Sequence, residues 1–183
     1  MTHVRTEGSA TLQKLNIGLK YLSNICKSMN DFNRTRLQHS TPAWIQDGEV
    51  YFLTINVFQR HTNQLVKPPI AEAIKHAVQF YKDIYKWHPR LVVLMPDHLH
   101  MLVSLNTKMF SIRQIVSPWK GYLRKTQKIE WQEGFFEHRI RDQVSLEEKE
   151  VYLQMNPVRA GLVKNPEDWP YTWSTSSFQK DTG

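Results

Sequence analysis

From residue 49 onward two hydrophobic periods alternate along the chain. VYFLTINVF (50–58), rich in β-branched and aromatic residues, predicts a strand. Pro68 and Pro69 open a stretch in which Ile70, Ile74, Ala77, Val78, Tyr81 and Ile84 share one helical face, so a helix follows. LVVLM (91–95) and HLHMLVSL (98–105) are apolar runs separated only by Pro96 and Asp97, the spacing of a tight antiparallel hairpin. Residues 111–129 return to the helical period, and Pro118 either kinks that helix or stands at its first position after a Ser117 cap. FFEHRIR (135–141) predicts another strand, and SLEEKEVYLQM (145–155) a helix whose Ser145 and Glu148 fit a capping box. The order βαββαβ plus a helix is that of a split βαβ unit. It predicts an α+β, ferredoxin-like antiparallel sheet with helices packed on it and an extra C-terminal helix.

Residues 1–42 differ from this pattern. Polar ends surround one segment in which Leu12, Leu15, Leu19, Leu22 and Ile25 recur at helical spacing, which predicts a partly helical N-terminal extension to a main domain over 43–183. The extension is basic, with Arg5, Lys14, Lys20, Lys27, Arg34 and Arg36 against Glu7 and Asp31.

Composition narrows the picture without naming a function. The 183 residues are 40% hydrophobic and contain only 7 Gly, which argues for a globular chain with a real core. The single Cys26 excludes an internal disulfide, no run approaches the ~18 apolar residues of a membrane span, and the N-terminus lacks a signal peptide's apolar stretch. A cytoplasmic protein without membrane contact is expected. The formal charge of +7 raises the prospect of a polyanionic partner but does not identify one.

The candidate chemistry lies in the hairpin. His98 and His100 stand one residue apart in a strand, so both imidazoles point to one face while Leu99 points to the other. Same-face positions about 7 Å apart are how a sheet presents two metal ligands. The plainer reading is two solvent-facing polar residues, yet Met101, Leu102 and Val103 make the strand apolar and central, where unsatisfied histidines are costly. A third ligand is available in VYLQMNPVRAGLV, where Tyr152 and Asn156 share a helix face up to the end or bend that Pro157 imposes. If that helix packs on the histidine face, the Asn156 carbonyl completes a site beside the Tyr152 hydroxyl, a nucleophile next to a Lewis acid. Otherwise Tyr152 is an amphipathic core residue and Asn156 only ends the helix.

VVLMPDHLHMLVSL (92–105) and YLQMNPVRAGLV (152–163), in this order, resemble the HUH single-strand DNA transposases that use one catalytic tyrosine, most closely the REP-associated tyrosine transposases. VYFLTINVFQR, FFEHRIR and DWPYTW (168–173) extend the resemblance over roughly residues 43–178. It implies that His98, His100 and Asn156 bind Mg²⁺ or Mn²⁺ and that Tyr152 is the nucleophile. The implied reaction joins the enzyme to a DNA 5′ end through phosphotyrosine, releases a 3′-OH, and can be reversed on another end. Single-stranded or hairpin DNA is the implied partner, in a nucleoid-associated protein acting as monomer or homodimer. Asp97 replaces the Asn of many relatives and is either turn chemistry or a partner for an imidazole. Asn156 departs from the two-tyrosine and Tyr-x-x-x-Lys initiators of the superfamily, and relaxases place the tyrosine before the histidines, so both are disfavoured.

Arg113, Lys120, Arg124 and Lys128 fall within about 80° of one another on the 111–129 helix, which has no acid, and so predict a cationic stripe for DNA phosphates. Arg139, Arg141 and Arg159 are further candidates. Trp169, Tyr171 and Trp173 either stack on bases or clamp the C-terminal run onto the core. Two other readings compete: a non-cleaving hairpin-binding protein of the same fold, and a small-nucleotide hydrolase. The second lacks a third alternating histidine, since that position is Leu102.

Overall fold

The computed structural model describes residues 43–46 and 49–178; the predicted N-terminal extension lies outside the described residues. After a short helix α1 (Ala43–Gln46), the chain runs β1 (Val50–Asn56), α2 (Pro68–Asp83), β2 (Trp87–Leu94), β3 (His98–Leu105), α3 (Ile112–Gln127), β4 (Phe136–Ile140), α4 (Gln143–Gln154), α5 (Asn156–Arg159) and β5 (Thr172–Ser174). The predicted βαββαβ order is present, and all five strands pair antiparallel in the order β4-β1-β3-β2-β5.

β3 lies at the centre because both of its faces are apolar enough to bury. Leu99, Met101 and Val103 face Leu53, Ile55, Val92 and Leu94, with Ile74 and Val78 of α2 and Ile115, Trp119 and Leu123 of α3 packed over them. On the opposite face Leu102 joins Val50, Phe52, Leu91, Val93 and Ile140 beneath Leu146 and Leu153 of α4. The histidines belong to this second face by strand alternation, so the helix carrying Tyr152 covers the side on which they lie.

Several boundaries differ from expectation, each for a local reason. β2 begins at Trp87 and passes Pro89, which has no N–H to give; the ladder absorbs this through a register shift between Pro89 and Leu91. Pro118 does not start α3. Ser111 caps it in a full capping box with Gln114, and the helix continues through Pro118 because its inner face is fixed by Ile115, Val116, Trp119 and Leu123. α4 starts two residues before Ser145: Asp142 is the cap, accepting from Ser145 N–H and from Ser145 Oγ, each at 2.8 Å. β5 was not predicted. It pairs with β2, and its Trp173 packs edge-on to Phe178, while Tyr171 Oη donates to the Val66 carbonyl and Trp169 Nε1 to the Leu94 carbonyl. All three aromatics are therefore clamps.

Lys120 corrects the cationic stripe. Its side chain is only 6% exposed and its Nζ donates to the carbonyls of Gln132 (2.8 Å) and Gly134 (2.5 Å), tying α3 to the segment that leads into β4. Burial pushes its ammonium below the usual lysine range, helped by the Arg124 charge and opposed by Glu133. Lys120→Met keeps the aliphatic stem and removes both bonds, so it is expected to cost about 2–3 kcal/mol, the penalty for stranding acceptors of a charged donor. Urea unfolding should show a lowered midpoint, whereas Arg124→Met, at an exposed position, should stay within about 0.5 kcal/mol of the parent.

Candidate active site

His98 and His100 lie on β3 opposite Asn56 and Thr54 of β1, and their ring centroids are 4.6 Å apart at 81°. Each Nδ1 has a partner. His98 Nδ1 is 2.6 Å from Asp97 Oδ1, and His100 Nδ1 is 2.9 Å from Thr54 Oγ1. A carboxylate only accepts, so His98 carries its proton on Nδ1 and leaves the Nε2 lone pair open. The Thr54 hydroxyl can donate to or accept from His100 Nδ1, so this contact holds the ring without fixing its tautomer.

Asp97 is held in turn. Its Oδ2 accepts the His61 N–H at 2.7 Å and lies 3.2 Å from Arg60 Nε, and Arg60 also donates to Asn56 Oδ1. Its carbonyl accepts Val57 N–H at 3.0 Å. Asp97 thus serves both readings, shaping the connection and gripping an imidazole. Burial alone would raise its carboxyl, but the hydrogen bonds from His98 and His61 and the Arg60 charge hold it below the usual range.

Both imidazoles are kept neutral. Burial pushes His100 down to about 3, with the charges of His98, Arg60 and Lys149 adding to the shift. Burial also lowers His98, against the opposing pull of Asp97. Neutral rings with Nδ1 engaged are the form in which histidine binds metals.

Tyr152 reaches this site through two side chains. Phe52 stacks on His100 at 5.5 Å and 27°; Lys149 Nζ lies 5.0 Å from the centroid of Phe52 and 5.0 Å from that of Tyr152. Tyr152 is 40% exposed while its neighbour Leu153 is buried, so the core-residue alternative for Tyr152 does not hold. α4 stops at Gln154, and α5 begins at Asn156 with Pro157 in its first turn, the break expected of this sequence. The Asn156 amide nitrogen is buried with no hydrogen-bond partner. From α5, Arg159 Cζ stands 4.8 Å from the Tyr152 ring centroid.

The remaining cations divide. Arg113 and Arg124 are exposed and line a groove of about 430 Å³ together with Ser117, Lys120, Gly121, Glu133 and Phe135. Lys128 leaves the stripe because α3 has already ended: it is in the left-handed conformation (φ 58°) and lines a separate depression with Gln59, Gln64 and Lys67. Arg139 pairs with Glu49 at 2.5 Å. Sequence reasoning did not find Phe52, Thr54, Asn56, Arg60 or Lys149. Thr54 and Asn56 were signalled by the polar alternation within VYFLTINVF, which places them on one face.

No protein-family model matches the chain. A protein from Haemophilus influenzae named as a REP-associated tyrosine transposase is 31% identical over 150 residues, 73% of this chain and 82% of its own. The REP-associated tyrosine transposase of Escherichia coli K12 is 28% identical over 141 residues, 73% of this chain and 79% of that one. A solved REP-associated tyrosine transposase bound to a REP hairpin has the same fold, with a TM-score of 0.61 and 24% identity over 76% of this chain and 81% of that structure. Among the described residues no helix is long and apolar enough to cross a membrane. Identity at this level over most of both chains places the protein in the REP-associated tyrosine transposase family.

Proposed function

We propose that this transposase cuts and rejoins single-stranded DNA beside a REP-like hairpin, with Tyr152 as nucleophile and a divalent cation held by His98, His100 and Asn156. The observation that carries the reading is the pair of neutral imidazoles on the sheet face covered by the Tyr152 helix, with the His98 Nδ1 proton held by Asp97 and His100 Nδ1 in contact with Thr54. The donor set fits a cation. Among the described residues no cluster of three His, Cys, Asp or Glu is available, and the third donor in this reading is an amide. The buried, unsatisfied end of the Asn156 amide supports its choice for that role, since rotation of the amide presents either nitrogen or oxygen there. Mg²⁺ or Mn²⁺ bound there supplies a Lewis acid that polarises the scissile phosphate.

The residues of the chain do the rest. Tyr152 Oη attacks the phosphorus, a bond to the 5′ phosphate forms, the bond to the 3′ oxygen breaks, and the phenolic proton ends on the departing 3′-OH by way of solvent. The phosphotyrosine diester conserves the energy of the broken phosphodiester, so the reverse attack by a 3′-OH needs no nucleotide cofactor. Arg113 and Arg124, exposed along the α3 groove, suit phosphates of the bound DNA, and Lys120 holds that groove's wall in place. The hairpin as ligand is supported by the REP hairpin bound to the solved relative.

Incubation with end-labelled hairpin DNA and Mn²⁺, followed by denaturing gels, tests the reading. The native protein is expected to form a covalent adduct that Tyr152→Phe abolishes with hairpin affinity retained. An adduct that persists in Tyr152→Phe overturns the nucleophile, and hairpin binding with no adduct over a panel of repeats leaves the non-cleaving alternative. His98→Ala and His100→Ala are each expected to reduce cleavage by about 100-fold or more and to weaken Mn²⁺ binding measured by calorimetry. Asp97→Ala should weaken Mn²⁺ binding by about tenfold, because the His98 tautomer is then no longer fixed.

A further inference from the structure

The proposed chemistry leaves two cations beside Tyr152 without a task. Lys149 lies one helical turn before Tyr152 on the same face of α4, with its Nζ over the Tyr152 and Phe52 rings. Arg159 comes from α5, beyond the break at Met155, and its guanidinium also lies over the Tyr152 ring. Neither is among the residues that form the ion pairs of Asp97 and Glu49. A ring face is a weak anchor for a cation, and two cations converging on one half-exposed tyrosine repel each other unless an anion joins them.

We propose that Lys149 and Arg159 form the subsite that binds the phosphoryl group attacked by Tyr152 and retained on it as phosphotyrosine. The proposal rests on the reading of Tyr152 as nucleophile and adds the recognition of the reacting group. A phosphodiester brings one negative charge, and a second develops on the phosphoryl oxygens as the Tyr152 Oη bond forms and the bond to the 3′ oxygen breaks. The planar fork of Arg159 suits two of those oxygens at once, and Lys149, on a flexible stem, supplies a point charge. Phe52 neighbours both Lys149 and His100, which puts this subsite close to the histidines.

The test uses the full chain in two assays. In the first, binding of hairpin DNA with an unpaired flank is measured in a Tyr152→Phe background without metal, with one uncharged methylphosphonate stepped along the flank. One position is expected to weaken binding about fivefold or more, and this penalty should disappear when Lys149→Met or Arg159→Met is added. Lys149→Arg should restore it, which a purely packing role for the aliphatic stem would not do. In the second, the single-turnover rate of adduct formation at saturating DNA is expected to fall about tenfold or more in Lys149→Met and Arg159→Met, with affinity for a hairpin lacking the flank unchanged. A methylphosphonate penalty equal in parent and variants overturns the subsite even when the native protein forms its adduct. Loss of the adduct reading leaves the binding assay intact, so the two failures are separate.

Discussion

The structure is organised around a conflict inside β3. This strand is central and buried on both faces, yet its first three residues include two imidazoles, and polar rings are tolerated at such positions only when their nitrogens are partnered and their charge is suppressed. The rest of the sheet supplies those conditions. β1 provides Thr54 for His100, and the β2–β3 connection provides Asp97 for His98. Arg60, beyond the end of β1, steadies Asp97. Burial does the remainder by keeping both rings neutral. The arrangement that solves the burial problem also gathers both rings on one face of the sheet, and that face lies under α4.

The type and order of nearly every element were legible because periodicity is a local property. Strand β3 was read to its exact residues, and α2 and α3 to within two. What escaped depended on partners distant in sequence. β5 spans three residues and exists because Trp173 is buried and β2 offers an open edge. The start of α4 was misplaced because Ser145 and Glu148 imitate a capping box that Asp142 pre-empts. Pro118 reads as a breaker, yet α3 tolerates it because tertiary packing outweighs one missing hydrogen bond. At the site, the shared face of His98 and His100 followed from spacing alone. Thr54 and Phe52 required the register of β1 against β3, which no local pattern specifies.

The basic charge shows why summed charge is a poor guide to its use. Lys120 sits in helical phase with Arg113 and Arg124, but its long stem lets the ammonium turn toward backbone carbonyls of the following loop, acceptors that carry no side-chain signature. Lys128 left the helix, Arg139 met Glu49, and Lys149 rested on rings of the opposite face. Charges that look equivalent in the sequence therefore fill structural, solvent-facing and site-proximal positions.

The two outer strands of the sheet carry one further consequence. An antiparallel sheet presents unpaired amides and carbonyls along its borders, and these are templates on which another chain can extend the ladder. On one border β5 is only three residues long and is followed at once by a 3₁₀ turn (Thr175–Phe178), so it offers too little backbone to recruit a stranger. On the other, β4 exposes Glu137, His138 and Arg139 in succession, charged or polar groups that would have to be stripped of water to pair. The same aromatic clamps and polar edge that finish the fold thus act as terminators, protecting a strongly apolar central sheet from growth into aggregates.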